Sequence, residues 1–308
     1  MLAKAVPVKG MLAGVLVMVM VAAGCAPPSP LPDGSIPQWG PFGANGLIVD
    51  GDQLWLADLF AQQLIRFDPD TGRITRRVGP SNGLTSPDDG VVMDDGSLVV
   101  TSPPGDVVQR VSPTGQVTVL ATFAFGPNPI VRDPADASAV LVGDASSEPS
   151  AIFRVFTDGR PSELVVGGLP PINSFSFGPD GRLWAPAGGF ASLIGSTGRI
   201  VRIDLATGAF EPLAVTFPGE PGKPGFNYAV AAKFGPDGQL YVLQGLDAAV
   251  YRIDPGTGVA TRIANLPGGV GDNLAFTPDG RLYASTFVGG VVEILPGGGV
   301  RQVPLGSG

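Results

Sequence analysis

The chain has 308 residues, of which 44% are hydrophobic and only 15% are charged, and its net charge at pH 7 is −8. The negative charge argues against a nucleic-acid partner, and the absence of histidine excludes Ser-His-Asp triads, Cys-His dyads and His-ligated zinc. Glycine and proline number 46 and 32, and because they fall between apolar runs they indicate turns rather than disorder.

Residues 1–24 are predicted to form a lipoprotein signal peptide. The apolar run Met11–Ala23 follows two lysines and is shorter than a transmembrane helix requires. It leads to Cys25 through a sequence that resembles a bacterial lipobox, with Ala22 where Leu is usual. The alternative is an ordinary signal peptide with an incidental cysteine. Because Cys25 is the only cysteine, we favour lipidation, with residues 25–34 as a Pro-rich tether and the protein anchored in the cell envelope, facing the periplasm or the exterior.

Residues 35–308 are predicted to form an all-β, six-bladed β-propeller. The stretch Tyr228–Leu266 has the pattern of four short strands joined by turns such as Gly235–Gly238, and no comparable stretch has helical periodicity. The second strand of this unit recurs at intervals of 44, 42, 43, 57 and 42 residues, and the long interval between the fourth and fifth copies contains insertions. Its copies are centred near Leu54, Leu98, Val140, Leu183, Leu240 and Leu282. Six four-stranded units predict radial repetition, whereas a solenoid of stacked meanders would need distinct capping ends.

An arginine recurs beside the third strand of five units. These residues are Arg66, Arg110, Arg154, Arg202 and Arg252, and Glu293 interrupts the series in the sixth unit. A ladder of arginines could bind anions. Recurrence at one position in every blade favours an architectural role instead, with each guanidinium holding the carboxylate of a turn.

Polar residues recur where the innermost strand of each blade begins. Counting back from Leu54 gives Asn45, and the same count from Leu98 gives Asp89. The corresponding residues in the other blades are Asn128, Asn173, and Asp272 or Asn273, whereas the fifth blade offers Ala229 or Val230 beside Asn227 and Tyr228. These strand starts converge on one mouth of a propeller channel, so the sequence predicts a ring of amides and carboxylates there. The alternative is that Asn and Asp are simply good strand-entry residues.

Oxygen donors of this kind suit a hard divalent cation rather than zinc, and we expect Ca²⁺ in preference to Mg²⁺. The strings NGLIVDGDQLWLAD, DDGVVMDDGSLVVT and FGPDGRLWAP resemble the senescence-marker-protein/gluconolactonase family, which includes regucalcin and strictosidine-synthase-like proteins. The resemblance implies a six-bladed propeller with an axial divalent cation held by a Glu, an Asn and an Asp. The Asn and Asp carry over to Asn45 and Asp89. The family's Glu has no counterpart, and Asn173 or Asp272 would take its place.

Two functions are compatible with these residues. The first is a metal-dependent hydrolase of lactones or small esters, in which Asp89 is also the general base. Its predicted metal ligands are Asn45, Asp89, Asn173 and Asp272, and its predicted substrate contacts are Asn128, Asn273, Asn227, Tyr228, Phe226 and Trp39. The second is a non-catalytic module that binds a ligand or a protein. Both predict a monomer with a small-molecule or protein ligand and no nucleic-acid partner.

Overall fold

The structure is a computed structural model. The residues that it describes are 43–189, 192, 197–268, 270–288 and 290–306. The predicted signal peptide, the tether, Cys25 and Trp39 lie outside the described residues. None of the helices in the part of the chain that is described has the length and apolarity that crossing a membrane requires.

Six four-stranded antiparallel sheets form a ring of blades, which confirms the predicted all-β, six-bladed propeller. Blade 1 contains β1 (Ala44–Asp50), β2 (Gln53–Asp58), β3 (Gln63–Phe67) and β4 (Ile74–Val78). Blade 2 follows a 3₁₀ turn (Pro80–Asn82) and contains β5 (Gly90–Val92), β6 (Leu98–Ser102), β7 (Val107–Val111) and β8 (Val117–Thr122). Blade 3 contains β9 (Pro127–Arg132), β10 (Ala139–Asp144), β11 (Ser150–Phe156) and β12 (Glu163–Leu169).

The second half of the ring repeats the same order of strands. Blade 4 contains β13 (Ser176–Phe177), β14 (Leu183–Ala187), β15 (Arg199–Ile203) and β16 (Phe210–Pro212). Blade 5 contains β17 (Ala229–Phe234), β18 (Leu240–Gln244), β19 (Ala249–Ile253) and β20 (Ala260–Asn265). Blade 6 contains β21 (Gly271–Phe276), β22 (Leu282–Thr286), β23 (Gly290–Ile294) and β24 (Val300–Gln302). In each blade the first strand is innermost and its N-terminal end lies at the axial mouth.

The hydrophobic core lies between the blades rather than within any one of them. Leu54 and Leu56 of blade 1, for example, pack with Tyr283 of blade 6, and all three side chains are buried. Alternation along each strand directs these residues to the neighbouring sheet, as the sequence pattern predicts. Burying a leucine in this way stabilises the fold by about 1.5–3 kcal/mol, so each blade depends on its neighbours.

Four of the five recurring arginines hold a carboxylate at the hairpin between the first and second strands, as predicted, whereas Arg202 pairs with Glu211 of β16. Arg66 Nε donates to Asp50 Oδ2 at 2.8 Å, and Arg252 bonds Asp237 in the same way from the third strand to the first hairpin of its blade. In blade 6 the roles are exchanged, because Glu293 occupies the arginine position and accepts from Arg301 Nε at 2.7 Å. The ladder is therefore part of the architecture of the blades.

The ring closes by contacts between blades 1 and 6, because no blade combines strands from both ends of the described chain. Gly43 N donates to Phe287 O at 3.0 Å, and Gly306 N donates to Gly72 O at 3.0 Å. Arg281 of blade 6 forms an ion pair with Asp70 of blade 1 at 2.5 Å. These contacts join the first and last blades at the axis and at the outer turns.

Candidate axial site

Strand pairing defines one equivalent position at the entry of every innermost strand. The residues at this position are Asn45, Asp88, Asn128, Asn173, Val230 and Asp272. Five of the six blades thus supply a carboxylate or an amide, and the fifth blade supplies an apolar residue. We call this set the entry ring.

The pairing corrects one assignment made from the sequence. The hairpin between β5 and β6 is one residue longer than the hairpin between β1 and β2, so a gap-free count back from the second strand stops one residue short. Asp88, and not Asp89, is the equivalent of Asn45. Asp89 occupies the following position, one step deeper along the channel, together with Asn273 of blade 6.

The backbone at the strand entries presents these side chains. β1, β17 and β21 each carry a β-bulge at their first residues, and Asn45 and Asp272 lie within the bulges of blades 1 and 6. A bulge bends the strand and re-aims its side chains, which explains why both residues can reach the axis. Gly46 is required here, because a Cβ at this position would collide with the carbonyl oxygen of Asp88.

The centre of the site is the amide of Asn45, which lies between two carboxylates from other blades. With its NH₂ group facing them, the amide is 3.1 Å from Asp88 Oδ1 and 3.0 Å from Asp272 Oδ1. Asn128 Nδ2 donates to Asp88 Oδ2 at 3.1 Å. Four residues of the entry ring, from blades 1, 2, 3 and 6, are therefore in direct contact.

Ionisation of both Asp88 and Asp272 is electrostatically unfavourable. Burial raises the pKa of Asp88 well above its usual range, and the negative charges of Asp272 and Asp89 raise it further. Burial, together with the charge of Asp89, raises the pKa of Asp272 to about 8. Near neutral pH this pair retains a proton unless a cation neutralises it.

Tyr228 supplies the polar group that blade 5 lacks in the entry ring. Asn173 Nδ2 donates to its hydroxyl oxygen at 3.3 Å, and the Tyr228 backbone has a φ of +57°, which is unusual for a residue with a side chain. Burial and the charges of Asp272 and Asp88 raise the pKa of Tyr228 above its ordinary value, so its hydroxyl stays protonated. The side-chain oxygens of Ser174 and Asn227, which adjoin this pair, are buried and lack a hydrogen-bond partner among the described residues.

Asp89 is held by several donors in the deeper layer. It accepts a hydrogen bond from Gly90 N at 2.9 Å, and also from the side chain of Asn273 and the backbone of Ile130. Burial raises the pKa of Asp89, and the positive charge of Lys233 from blade 5 opposes that rise. Asp89 thus connects blades 2, 3 and 6 across the channel.

The structure brings most of the predicted site residues to the mouth, with one clear exception. Phe226 is 1% exposed, and its ring packs in the core against Phe217 and Tyr251. Sequence reasoning missed Asp88 and Lys233. The adjacent pair Asp88-Asp89 could have suggested the first, and a lysine within the apolar run of β17 could have suggested the second.

The donor set can be tested for a divalent cation on its chemistry. Among the described residues, no three Asp, Glu, His or Cys side chains gather around one point, so the carboxylate ligands would number two. When the Asn45 amide is rotated by 180°, its oxygen and not its NH₂ group faces the two carboxylates. Carboxylate and amide oxygens are the ligands that Ca²⁺ and Mg²⁺ prefer. Asn45, Asp88 and Asp272 therefore fit a hard cation.

No protein-family model and no curated protein matches the chain. Solved structures with the same architecture include a gluconolactonase from Xanthomonas campestris, with 16% identity, a TM-score of 0.62 and coverage of 80% of this chain and 84% of that one. A calcium-binding protein, regucalcin, from Agrobacterium tumefaciens has 19% identity, a TM-score of 0.60 and coverage of 81% and 84%. A catalytically inactive virginiamycin B lyase from Staphylococcus aureus with quinupristin has 17% identity, a TM-score of 0.58 and coverage of 87% and 86%.

At these identities the similarity establishes the fold. The resemblance that the sequence motifs indicated is confirmed at that level: the chain has the six-bladed propeller fold of the gluconolactonase, regucalcin and virginiamycin B lyase structures.

Proposed function

We propose that the entry ring binds a divalent cation, Ca²⁺ in preference to Mg²⁺, and that the protein hydrolyses lactones or small esters there. The observation that carries this proposal is the Asn45 amide held between the carboxylates of Asp88 and Asp272. The three residues come from three different blades. The fold neighbours support it, since one is a gluconolactonase and another is a calcium-binding protein. Ca²⁺ is favoured because it tolerates irregular oxygen cages, whereas Mg²⁺ demands near-octahedral geometry.

In this proposal Asn45, Asp88 and Asp272 hold the cation. When bound, it would polarise the substrate carbonyl and lower the pKa of a water molecule. Hydrolysis adds water to the acyl carbon, breaks the acyl carbon–oxygen bond and transfers a proton to the leaving oxygen, which yields a carboxylic acid and an alcohol.

The remaining polar residues of the mouth would orient the reactants. Tyr228 keeps its proton and can donate a hydrogen bond to a substrate oxygen, with Asn173 holding its ring in place. Asn128 positions the carboxylate of Asp88. Asp89 as the general base stays a prediction, and the structure adds Asp88 as a second candidate because fewer backbone donors hold its carboxylate.

Hydrolysis of a panel of lactones and esters, measured after EDTA treatment and on return of Ca²⁺, Mg²⁺, Mn²⁺ or Zn²⁺, tests the proposal. Asp88→Asn and Asp272→Asn should each lower kcat/KM at least 100-fold, and comparison with Asp89→Asn identifies the base. Asp95→Asn, in the exposed hairpin of the same blade, is the matched control. Turnover that survives both EDTA and Asp272→Asn would refute a metal-dependent hydrolase.

A non-catalytic binding module is the second candidate. It is favoured by the limited donor set, with two carboxylates at one point among the described residues, and by the absence of histidine from the chain. The same assays distinguish the two functions. Calcium binding that is lost in Asp272→Asn, without turnover of any substrate in the panel, would support the binding module.

We also propose that lipidated Cys25 anchors the protein on the outer side of a bacterial membrane, where it acts as a monomer. The support is the lipobox-like sequence that precedes the only cysteine. The wild-type chain should fractionate with membranes, and Cys25→Ser should move it to the soluble fraction. Equal membrane association of both chains would contradict the anchor, and light scattering of Cys25→Ser measures the oligomeric state.

A further inference from the structure

The connections between second and third strands surround the mouth, and they differ in polarity around the ring. In blades 1, 5 and 6 they carry large apolar residues, namely Phe60, Leu246, Phe287 and Val288. In blades 2 and 3 the corresponding connections are polar or Pro-rich, with the sequences PPGD and ASSEP. Leu246 is 42% exposed and Val288 is 49% exposed. We call the four apolar residues the apolar rim.

Backbone hydrogen bonds attach the apolar rim directly to the strand entries. Gly43 N, two residues before Asn45, donates to Phe287 O at 3.0 Å, and Phe287 N donates to Val270 O at 3.0 Å. Gly245 N, next to Leu246, donates to Tyr228 O at 2.8 Å. The apolar rim therefore adjoins the polar residues of blades 1, 5 and 6.

The rings of Phe60 and Phe287 extend this surface across the seam between blades 1 and 6. Their centroids are 6.0 Å apart, and both side chains are only partly buried. Single exposed apolar residues are common on proteins, but two exposed and two partly buried apolar side chains on three consecutive blades, beside a buried polar cluster, make a surface of mixed character. Such a surface suits a ligand with a polar head and an apolar tail.

We propose that the mouth binds an ester or lactone that carries an unbranched alkyl tail, with its polar head in the entry ring and its tail along the apolar rim. This inference rests on the proposed function for the nature of the head group. It predicts a preference for tailed substrates over sugar lactones. Each methylene buried against the rim should strengthen binding about fourfold.

Calorimetry with n-alkyl-substituted lactams, which resist hydrolysis, tests the inference in the presence of Ca²⁺. Over a series of tails lengthened from two to about eight carbons, Kd should fall about fourfold per carbon in the wild-type protein. The double variant Leu246→Ser/Val288→Ser should bind the shortest lactam as the wild type does and lose most of the dependence on tail length. Val119→Ser, which removes a 56% exposed apolar side chain from β8, is the matched control and should bind as the wild type.

The outcomes separate this inference from the proposed hydrolysis. Dependence of Kd on tail length supports the inference even if no ester is turned over. The inference is overturned if Kd does not vary with tail length or if no lactam binds. It is also overturned if Val119→Ser reduces the dependence on tail length as much as Leu246→Ser/Val288→Ser does. Hydrolysis of short lactones would then remain a separate result.

Discussion

At the scale of single residues, three buried aspartates dominate the electrostatics of the mouth. Burial raises the pKa of Asp88, Asp89 and Asp272, whereas turn carboxylates such as Asp68 and Asp95 have lowered pKa values because they accept hydrogen bonds from nearby groups. The buried aspartates and the turn carboxylates therefore give the stability of the fold opposite dependences on pH. The turn carboxylates stabilise the fold above their unfolded pKa, and this contribution is lost as the pH falls through their lowered values.

The buried aspartates make stability fall as the pH rises. Asp272 has a pKa of about 8 in the folded state, whereas a solvent-exposed aspartate has a pKa of 3.8, so the folded protein binds more protons than the unfolded chain between these values. In EDTA we therefore expect the Tm at pH 8.5 to lie several degrees below the Tm at pH 5.5. Scanning calorimetry measures this difference.

Two comparisons control the pH experiment. Asp272→Asn should reduce the fall in Tm, because it removes one of the groups that must ionise, and Ca²⁺ should reduce it by binding the ionised form. Asp95→Asn, whose carboxyl is exposed and titrates at lower pH, should leave the fall unchanged. A Tm that rises between pH 5.5 and 8.5 in EDTA would show that the axial carboxyls do not titrate in this range.

At the scale of the strands and hairpins, the arginine ladder has members of unequal importance. Arg154 Nε donates to Asp133 Oδ2 at 2.5 Å, and the Asp133 side chain is only 2% exposed. Arg110 contacts Asp95 in the equivalent way, but that carboxylate is 51% exposed. A buried carboxylate that loses its partner is far more costly than an exposed one, which water can solvate.

Arg154→Met should therefore lower the free energy of unfolding by about 3 kcal/mol, whereas Arg110→Met should lower it by less than about 1 kcal/mol. Urea denaturation of the two variants beside the wild type provides the measurement. Equal effects of the two substitutions would mean that burial of Asp133 does not govern the strength of its pair.

The hairpins also show how far sequence reasoning reaches. The recurrence of Arg beside the third strands predicted the arginine ladder. Periodic apolar residues predicted the strands and, through their repetition, the blade count, because burial between sheets imposes a period of two on every strand. The length of a hairpin is not constrained in this way. One additional residue between β5 and β6 moved the predicted entry residue from Asp88 to Asp89. In blade 6 the sequence left Asp272 and Asn273 as alternatives, and both lie within the bulge of β21.

Contacts across the axis were less accessible to sequence reasoning. The Asn45 amide meets carboxylates that are far from it in sequence, and Tyr228 replaces a polar group through an unusual backbone conformation. Neither feature has a local sequence signal. Phe226 was expected at the mouth because it lies in a loop near that end of the channel, but its ring packs in the core against Phe217 and Tyr251.

At the scale of the whole molecule, the axial site exists only if the ring is closed. Asn45 belongs to the first blade and Asp272 to the last, so their contact depends on the seam between blades 1 and 6. On the outer side of this seam, Gly72 approaches Pro304 so closely that a Cβ would be 2.2 Å from the proline carbonyl oxygen. Gly72 also has a φ of +72°, which favours glycine.

Gly72→Ala should destabilise the protein by several kcal/mol, because it adds a steric collision at the seam to the cost of the left-handed backbone. Gly51→Ala is a matched control with a φ of +63° and open space around its Cβ, and we expect it to cost only about 1–2 kcal/mol. Thermal denaturation compares the two. Equal losses would show that the outer seam contributes little to ring closure.

The most direct test of the axial site is an anomalous-difference map from crystals of the protein soaked in Mn²⁺, which binds carboxylate and amide oxygens and scatters anomalously. We predict a strong peak in contact with the side-chain oxygens of Asn45, Asp88 and Asp272, and its loss in Asp272→Asn crystals soaked in the same way. A map with no peak among these three residues, or with peaks only at surface carboxylates, would contradict a cation site on the propeller axis.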